Sequence, residues 1–222
     1  MPSLAAPLAR TAANTGGVTL AVLVRGLAIV RHPPKPMHPH GAVRRGRLHR
    51  RGGPRSTGAS FLDQPGVDEI VVRESRAVGL PSGWPDVHGL AVKVPLGAAG
   101  HADLLLSTTG AGRLTRYLLT ATRAQEHGLL GTLVPFRSPS GAVVVAGRYH
   151  GPATVELVYA GPREDWQPFA ELELGEREPD DPELVFDAVL HPPPGLEQYD
   201  VVRRLREPSY ARARAARGAA AP

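Results

Sequence analysis

Histidine and carboxylate residues occur in the first half of the chain at spacings that could serve acid–base or metal chemistry. His38 and His40 flank Pro39 in a proline-rich stretch, and Asp86 and His88 stand two residues apart further along. Imidazole and carboxylate groups hold metal ions that activate water. One hypothesis is therefore a metal-dependent phosphodiesterase or other phosphoesterase using His38, His40, Asp86 and His88. The other is that these are surface histidines in loops.

The composition narrows the chemistry that the chain can perform. Its 222 residues include no cysteine, which excludes disulfides, thiolate metal sites, iron–sulfur clusters and cysteine nucleophiles. A hydrophobic content of 42% with 21% charged residues is typical of a soluble globular protein. The apolar stretch 18–30 is too short for a membrane-spanning helix and lacks the features of a secretory signal. We therefore expect a cytoplasmic protein that does not contact membranes.

The charge is divided unevenly along the chain. Residues 1–55 carry ten basic residues and no acidic one, residues 56–202 carry ten basic and twenty acidic residues, and residues 203–222 carry six arginines and one glutamate. The arginines between Arg44 and Arg55 could bind nucleic-acid phosphates. However, no aromatic residue interleaves with them to stack on bases, and Phe61 is the nearest. A charged, solvated loop is the favoured interpretation, and nucleic acid is not favoured as a partner.

Short apolar segments separated by turn residues predict an antiparallel sheet. Strand character is strongest at 42–48, 90–94, 103–107, 142–149, 154–160, 166–174 and 184–190. Residues 67–79 fit either a short helix or a strand. Because the later connections leave no room for crossover helices, we expect neighbouring strands to be antiparallel. The predicted fold class is α+β, a small antiparallel β-barrel with flanking helices.

Apolar residues at helical spacing predict helices at 1–30, at 113–124 and near the C-terminus. The expected domain organisation is an N-terminal helical segment over 1–30, a β-barrel domain over 31–195 and a C-terminal helical segment over 196–222.

Five short motifs follow one another along the chain: MHPHGA at 37–42, VRES at 72–75, DVHGLAVKV at 86–94, DLLLSTT at 103–109 and REPSY at 206–210. Their order resembles that of the haem-dependent catalase-like superfamily. The superfamily has, in the same order, HAKGA, VRFS, DPRGFAVKF, a DL segment ending in NNT, and a late arginine four residues before a tyrosine. The resemblance implies a catalase-like barrel that binds haem b.

The resemblance also implies roles on the distal side of the haem. His38 would be the acid–base group that takes a proton from peroxide and returns it. Ser75 would hydrogen-bond the His38 imidazole and fix its tautomer. Thr108 falls where the family has its distal asparagine, and it can form hydrogen bonds but has no amide.

On the other side, the resemblance makes Tyr210 the iron ligand, as a phenolate. Arg206, four residues earlier, would favour the ionised phenol. Lys35, where the family usually has arginine, and Arg73 would face the haem propionates.

The function that the resemblance implies is that of a peroxidase or catalase-like oxidoreductase acting on hydrogen peroxide or an organic hydroperoxide. It also allows a homo-oligomer. The interval from Thr108 to Tyr210 is much shorter than in a full catalase, and aromatic residues are few. A non-enzymatic protein that keeps the catalase fold and has lost haem is therefore a further hypothesis.

Overall fold

Alternating buried and exposed residues make most of the regular structure β-strand. The computed structural model describes residues 41–79, 83–179 and 184–204. Their strands are β1 Gly41–Arg50, β2 Gly66–Arg76, β3 His88–Pro95, β4 His101–Thr109, β5 Leu129–Gly131, β6 Phe136–Ser138, β7 Gly141–Tyr149, β8 Thr154–Ala160, β9 Gln167–Arg177 and β10 Glu197–Gln198.

Eight of these strands close into an antiparallel barrel. The order around it is β1, β2, β3, β4, β5, β7, β8 and β9, and β9 pairs back with β1. A small ribbon of β6 and β10 extends from β7. Closure pairs the edges of the main sheet, which would otherwise offer unpaired backbone groups.

The core fills the inside of the barrel with branched aliphatic side chains. In β2, Ile70 and Val72 are buried and alternate with more accessible neighbours. Leu104, Leu157 and Leu172, from β4, β8 and β9, belong to the same cluster and are at most 1% exposed. Because side chains alternate between the two faces of a strand, the inward set leaves a second set on the outer wall.

The strand predictions are confirmed for six of the seven segments with strand character, from 42–48 to 166–174. The segment 67–79, for which helix and strand were both open, contains β2. Neighbouring strands in sequence pair antiparallel, as the short connections predict. The prediction for 184–190 is wrong, because this segment has no strand pairing and ends in a turn.

The helix predicted over 113–124 is wrong as well. Only Thr115–Tyr117 form a single turn of 3-10 helix. Leu114, expected on a buried face, is 84% exposed, and Arg116 is 1% exposed. Arg116 donates to the carbonyls of Gly161 and Glu164 and stacks on Trp166, so distant contacts determine this segment.

Helices are a minor part of the described chain. A four-residue α-helix, α1, spans Ser60–Asp63, and residues 200–204 are helical after β10. The helix predicted over 1–30 lies outside the described residues. The helical segment predicted over 196–222 is described as far as residue 204: Glu197–Gln198 form β10 instead of helix, and residues 200–204 are helical as predicted. The domain boundaries stay a prediction. No helix among the described residues is both long and apolar enough to cross a membrane.

Candidate functional site

The outer wall formed by β1 to β4 presents the sequence-predicted residues Arg73 and Ser75. Within β2, Ile70, Val72 and Glu74 face the interior, so the intervening Arg73 and Ser75 face outward. The structure therefore brings these two predicted residues to one face, two positions apart on the same strand.

A row of small residues crosses the strands at the level of Ser75. Gly41 of β1 lies opposite Ser75, Ser75 opposite Gly89 of β3, Gly89 opposite Ser107 of β4, and Ser107 opposite Gly131 of β5. Directly paired residues in an antiparallel sheet point to the same side. We call these five residues the outward strip. Its only side chains beyond hydrogen are two hydroxymethyl groups. At the two ends of the strip, a Cβ atom on Gly41 would meet the Arg73 guanidinium, and one on Gly131 would stand 2.9 Å from Thr109 Oγ1.

Arg73 lies at the β1 end of the outward strip. A Cβ atom built on Gly41 would stand 2.6 Å from Arg73 Cζ and 2.8 Å from its Nε and Nη2 atoms. The guanidinium therefore crosses over the Gly41 backbone, which only a residue without a side chain permits. A cation is thereby fixed beside Ser75 on the same face.

Thr108 is not brought to this face. Its side chain is fully buried, and its hydroxyl donates to the Thr120 carbonyl at 2.6 Å while accepting the His88 N–H at 3.1 Å. The first bond holds the loop after β4, and the second joins β4 to the first residue of β3. The neighbouring Ser107 faces outward instead, in the same row as Ser75.

Ser107 is therefore the residue of this site that the motif comparison missed. The alternation of side chains along β4, in which every second residue faces the same side, could have identified it. Asp103 pairs directly with Lys93, and Ser107 follows Asp103 by four residues, which places it on the same face. The DLLLSTT motif offers three consecutive hydroxyl residues, and the register places Ser107 and Thr109 on one face of β4 and Thr108 on the other.

The remaining residues of the haem hypothesis lie outside the described residues. These are Lys35, His38, Arg206 and Tyr210. Their roles stay predictions, and so does the role of His40 in the metal hypothesis.

Asp86, from the metal hypothesis, holds a loop together. Its carboxylate accepts the N–H groups of Val78, Gly79 and Val87 at 2.7–3.1 Å, and Arg76 Nε lies 3.6 Å from it. The side chain has no exposed surface. These contacts engage both carboxylate oxygens in joining Val78 and Gly79 to Asp86 and Val87.

His88 is held in a separate contact. Its Nε2 atom lies 3.0 Å from the Thr122 carbonyl oxygen, and a carbonyl can only accept, so Nε2 is the protonated nitrogen. Among residues 41–79, 83–179 and 184–204, no three histidine or acidic side chains cluster in a way that could hold a metal ion. Asp86 and His88, the two described residues of the metal hypothesis, are thus engaged in contacts within the fold.

The arginine-rich stretch is neutralised within the barrel. Arg44, Arg45 and Arg47 lie on β1, in agreement with the strand predicted at 42–48, and β1 continues to Arg50, so a solvated loop is wrong for this part of the stretch. Ion pairs join basic residues of this stretch to acidic residues of β2, β9 and nearby loops: Arg44–Glu74, Arg45–Glu178, Arg47–Glu69, Arg50–Asp68, Arg51–Glu171 and Arg55–Glu164. Partnered in this way, these cations offer little net charge to nucleic-acid phosphates.

Comparison with solved structures identifies the class of fold. A bacterial catalase superposes with a TM-score of 0.54 at 11% identity, covering 86% of this chain and 58% of that one. A fungal catalase gives a TM-score of 0.55 at 12% identity, covering 82% and 59%. The chain thus has a catalase-like fold.

Within that class it is a divergent member. No protein-family model and no curated protein sequence matches it. The chain spans less than three-fifths of the length of these catalases.

Proposed function

We propose that this catalase-fold protein binds haem b against the outer wall of β1 to β4 and acts as a peroxidase or catalase-like oxidoreductase. The substrate would be hydrogen peroxide or an organic hydroperoxide. The observation that carries the proposal is the outward strip with Arg73 at its edge, on a barrel similar to those of catalases.

The outward strip suits a broad, flat ligand. Glycine and serine project little from the sheet, so the centre of the strip, at Ser75, Gly89 and Ser107, leaves room for the face of a planar ligand. Arg73 can pair with a carboxylate such as a haem propionate, because guanidinium and carboxylate match in charge and geometry. Lys35 would take the second propionate.

His38 and Ser75 would have separate roles in the transfer of one proton. His38 would accept the proton from one peroxide oxygen and return it to the other. The Ser75 hydroxyl would keep the His38 imidazole in a single tautomer. Haem iron, when bound, supplies the redox chemistry that cleaves the oxygen–oxygen bond.

On the opposite side, the Tyr210 phenol would have to be ionised to bind the iron. A neighbouring cation such as Arg206 favours the phenolate over the neutral phenol. Tyrosine phenolate is an established ligand of haem iron. The cytoplasmic location and a homo-oligomer stay predictions alongside these roles.

Hemin titration of the purified chain tests the binding step. We expect a Soret band that saturates at one hemin per chain, and Tyr210→Phe should shift or abolish it. Tyr199→Phe is the matched control, because Tyr199 packs under Arg137 at 5.0 Å and should leave the spectrum unchanged. No Soret band after reconstitution would overturn the haem proposal and favour a catalase-fold protein without haem.

Turnover tests the chemical step. The hemin-loaded chain should consume hydrogen peroxide or cumene hydroperoxide in the presence of an organic reductant, and His38→Gln should lower the rate at least tenfold. His49→Gln is the control, since His49 pairs with Glu173 on the charged part of the outer wall. Equal rates in the two variants would remove His38 from the mechanism.

A further inference from the structure

Two tyrosines are buried among the described residues, and their hydroxyl groups donate to different kinds of acceptor. Tyr149 donates to the carboxylate of Glu74 at 2.8 Å, whereas Tyr159 donates to the backbone carbonyl of Arg55 at 2.8 Å. Each hydroxyl also accepts one N–H, from the Gln125 amide and from the Arg55 backbone respectively. The two phenols are therefore alike in burial and in their number of hydrogen bonds, but only Tyr149 has a base as its acceptor.

The acceptor beside a buried phenol determines how easily the phenol loses an electron. Electron loss makes the hydroxyl proton strongly acidic, so the oxidation is favourable where a base can take that proton at once. A carboxylate can hold the proton, whereas a backbone carbonyl only accepts a hydrogen bond. Tyr149 carries its proton at neutral pH, because burial and the neighbouring Glu74 carboxylate raise the pKa of its phenol. It therefore has both a proton to release and a base to receive it.

The contacts of Glu74 allow it to take up a proton without moving. Its Oε2 atom accepts Arg44 Nε at 3.0 Å, which holds the carboxylate while Oε1 faces the phenol. Once protonated, Oε1 can donate back to the tyrosine oxygen across the same contact. The positive charge that is then no longer balanced lies on Arg44 and on Arg177, whose Nη2 atom is 3.8 Å from Oε2 and whose side chain is 65% exposed. Solvent can therefore stabilise that charge.

The pair of Tyr149 and Glu74 lies directly behind the outward strip. Glu74 precedes Ser75 on β2, and the two side chains stand on opposite faces of the sheet. One layer of sheet therefore separates the Tyr149 hydroxyl from a ligand on the strip, a distance of about 10 Å. An electron can cross such a distance through protein, whereas the proton has only to move along one hydrogen bond.

We infer that Tyr149 is a redox-active tyrosine and that Glu74 is its proton acceptor. The phenolic O–H bond breaks, one electron passes to an oxidant at the outer wall, and the proton passes to Glu74 Oε1. The products are a neutral phenoxyl radical, a neutral carboxyl group and an oxidant reduced by one electron. One electron from an organic reductant then returns the proton to Tyr149.

The pair would store one oxidising equivalent inside the barrel between reaction with peroxide and arrival of the reductant. For its oxidant this inference rests on the proposed function, in which haem that has reacted with a peroxide accepts the electron. Tyr149 would not touch peroxide itself. The pair can also be tested without haem, because an external oxidant can remove the electron.

Photo-oxidation of the unloaded chain tests the pair alone. A ruthenium tris-bipyridine complex oxidised by a light flash with persulfate removes single electrons, and samples frozen afterwards are measured by electron paramagnetic resonance. We expect a persistent tyrosyl signal in wild type that is about threefold or more weaker in Tyr149→Phe, which has no phenolic proton to transfer. Tyr159→Phe is the matched control and should keep the wild-type signal. Equal signals in Tyr149→Phe and wild type would overturn the inference.

Glu74→Gln separates proton transfer from packing. The amide fills the same space and can still form hydrogen bonds, but it cannot keep a proton, so the signal should again fall about threefold or more. Glu69→Gln is the control on the same strand, because Glu69 pairs with Arg47 at an exposed position and should leave the signal unchanged. Circular dichroism of each variant verifies that the barrel is folded. A full signal in folded Glu74→Gln would show that Glu74 is not the proton acceptor.

The hemin-loaded chain then tests whether peroxide drives the same oxidation. Mixing with hydrogen peroxide in the absence of a reductant, followed by freezing, should give the tyrosyl signal in wild type and Tyr159→Phe but not in Tyr149→Phe or Glu74→Gln. Wild type that takes up no hemin would refute the proposed function, and the photo-oxidation result would be unaffected. Wild type that binds hemin and consumes peroxide with no signal from Tyr149 would overturn the role of the pair in turnover alone.

Discussion

The Tyr149 hydroxyl donates to Glu74 Oε1 at 2.8 Å across 75 residues of sequence, joining β7 to β2 inside the barrel. The same hydroxyl accepts the Gln125 amide at 2.7 Å, and Arg44 Nε donates to Glu74 Oε2 at 3.0 Å. An ionised carboxylate is costly to bury unless its lone pairs are occupied. This network therefore allows Glu74 to lie directly behind Ser75 without weakening the barrel.

Tyr149→Phe should destabilise the fold by about 1–3 kcal/mol, because it leaves Glu74 Oε1 and the Gln125 amide without their partner. For a domain of this size that corresponds to a fall in Tm of roughly 2–12 °C. Thermal unfolding followed by circular dichroism measures it. Tyr199→Phe, at a half-buried position, should cost less, and equal losses would show that the Glu74 bond contributes nothing particular.

Alkaline pH should weaken the barrel through Tyr149. Burial, together with the neighbouring Glu74 carboxylate, raises the pKa of Tyr149 well above its ordinary value of 10.0. Above pH 10 the unfolded chain loses this proton while the folded chain keeps it, so the free energy of unfolding falls as pH rises. The contribution is fully present below pH 10. Urea unfolding between pH 8 and 11 should show a steeper decline for wild type than for Tyr149→Phe, and parallel curves would contradict the assignment.

Strand positions were predictable because half-buried strands carry their own signal. Residues 154–160 have the predicted limits, and 142–149 differ from β7 by one residue. Turn residues and period-two alternation are local properties of the sequence. The antiparallel pairing of strands that are neighbours in sequence followed from the short connections.

The segments whose secondary structure was predicted wrongly are those whose conformation depends on polar groups far away in the sequence. Arg116 is buried because carbonyls about 45 residues away receive its guanidinium, and no local spacing records that. Residues 184–190 have apolar character suited to a strand, but Asp103 takes the Asp187 N–H and Asp187 takes two further amides. Polar side chains thus replace the strand partner.

The charge carried by each segment could be counted from the sequence, but the ion pairs that these charges form could not be predicted from it. The basic stretch 44–55 is matched by acidic residues as far as 133 positions away, as in the pair of Arg45 with Glu178. Register between β1, β2 and β9 creates those pairs, and composition contains no information about register. The candidate site has the same limit. The DLLLSTT motif predicted the strand β4, but only the register shows that Ser107 faces outward.

Asp63 should govern stability on the acid side. Burial alone would raise the pKa of its carboxyl, but hydrogen bonds from Thr57, Ser56 and Gly58 outweigh that effect and lower the pKa below the ordinary 3.8. The stabilisation is therefore present above pH 3.8 and is lost as pH falls through the lower folded value. Asp63→Asn should cost about 1–3 kcal/mol at pH 7 and progressively less below pH 4.

Chemical unfolding at pH 7, 4 and 3 measures this difference. Asp165→Asn is the control, because Asp165 pairs with Arg113 at an exposed position and should change stability little at any of these pH values. A constant difference between Asp63→Asn and wild type down to pH 3 would contradict a lowered pKa.

Ser107 and Thr108 should respond to substitution in opposite ways. Thr108→Val removes a fully buried hydroxyl that serves both the His88 N–H and the Thr120 carbonyl, so it should cost about 1–3 kcal/mol of stability. Ser107→Ala removes an outward hydroxyl and should change stability by less than about 0.5 kcal/mol. Thermal unfolding of the two variants without hemin measures these stability effects.

The second half concerns the hemin-loaded chain. If the outward strip faces the ligand, Ser107→Ala should change the affinity for added cyanide by about threefold or more, through loss of a nearby hydroxyl. Thr108→Val, whose hydroxyl lies behind the sheet, should leave that affinity unchanged in the protein that remains folded. Cyanide titrations followed in the Soret band make the comparison. A cyanide effect confined to Thr108→Val would move the site to the other face of β4, because only that face carries the Thr108 side chain.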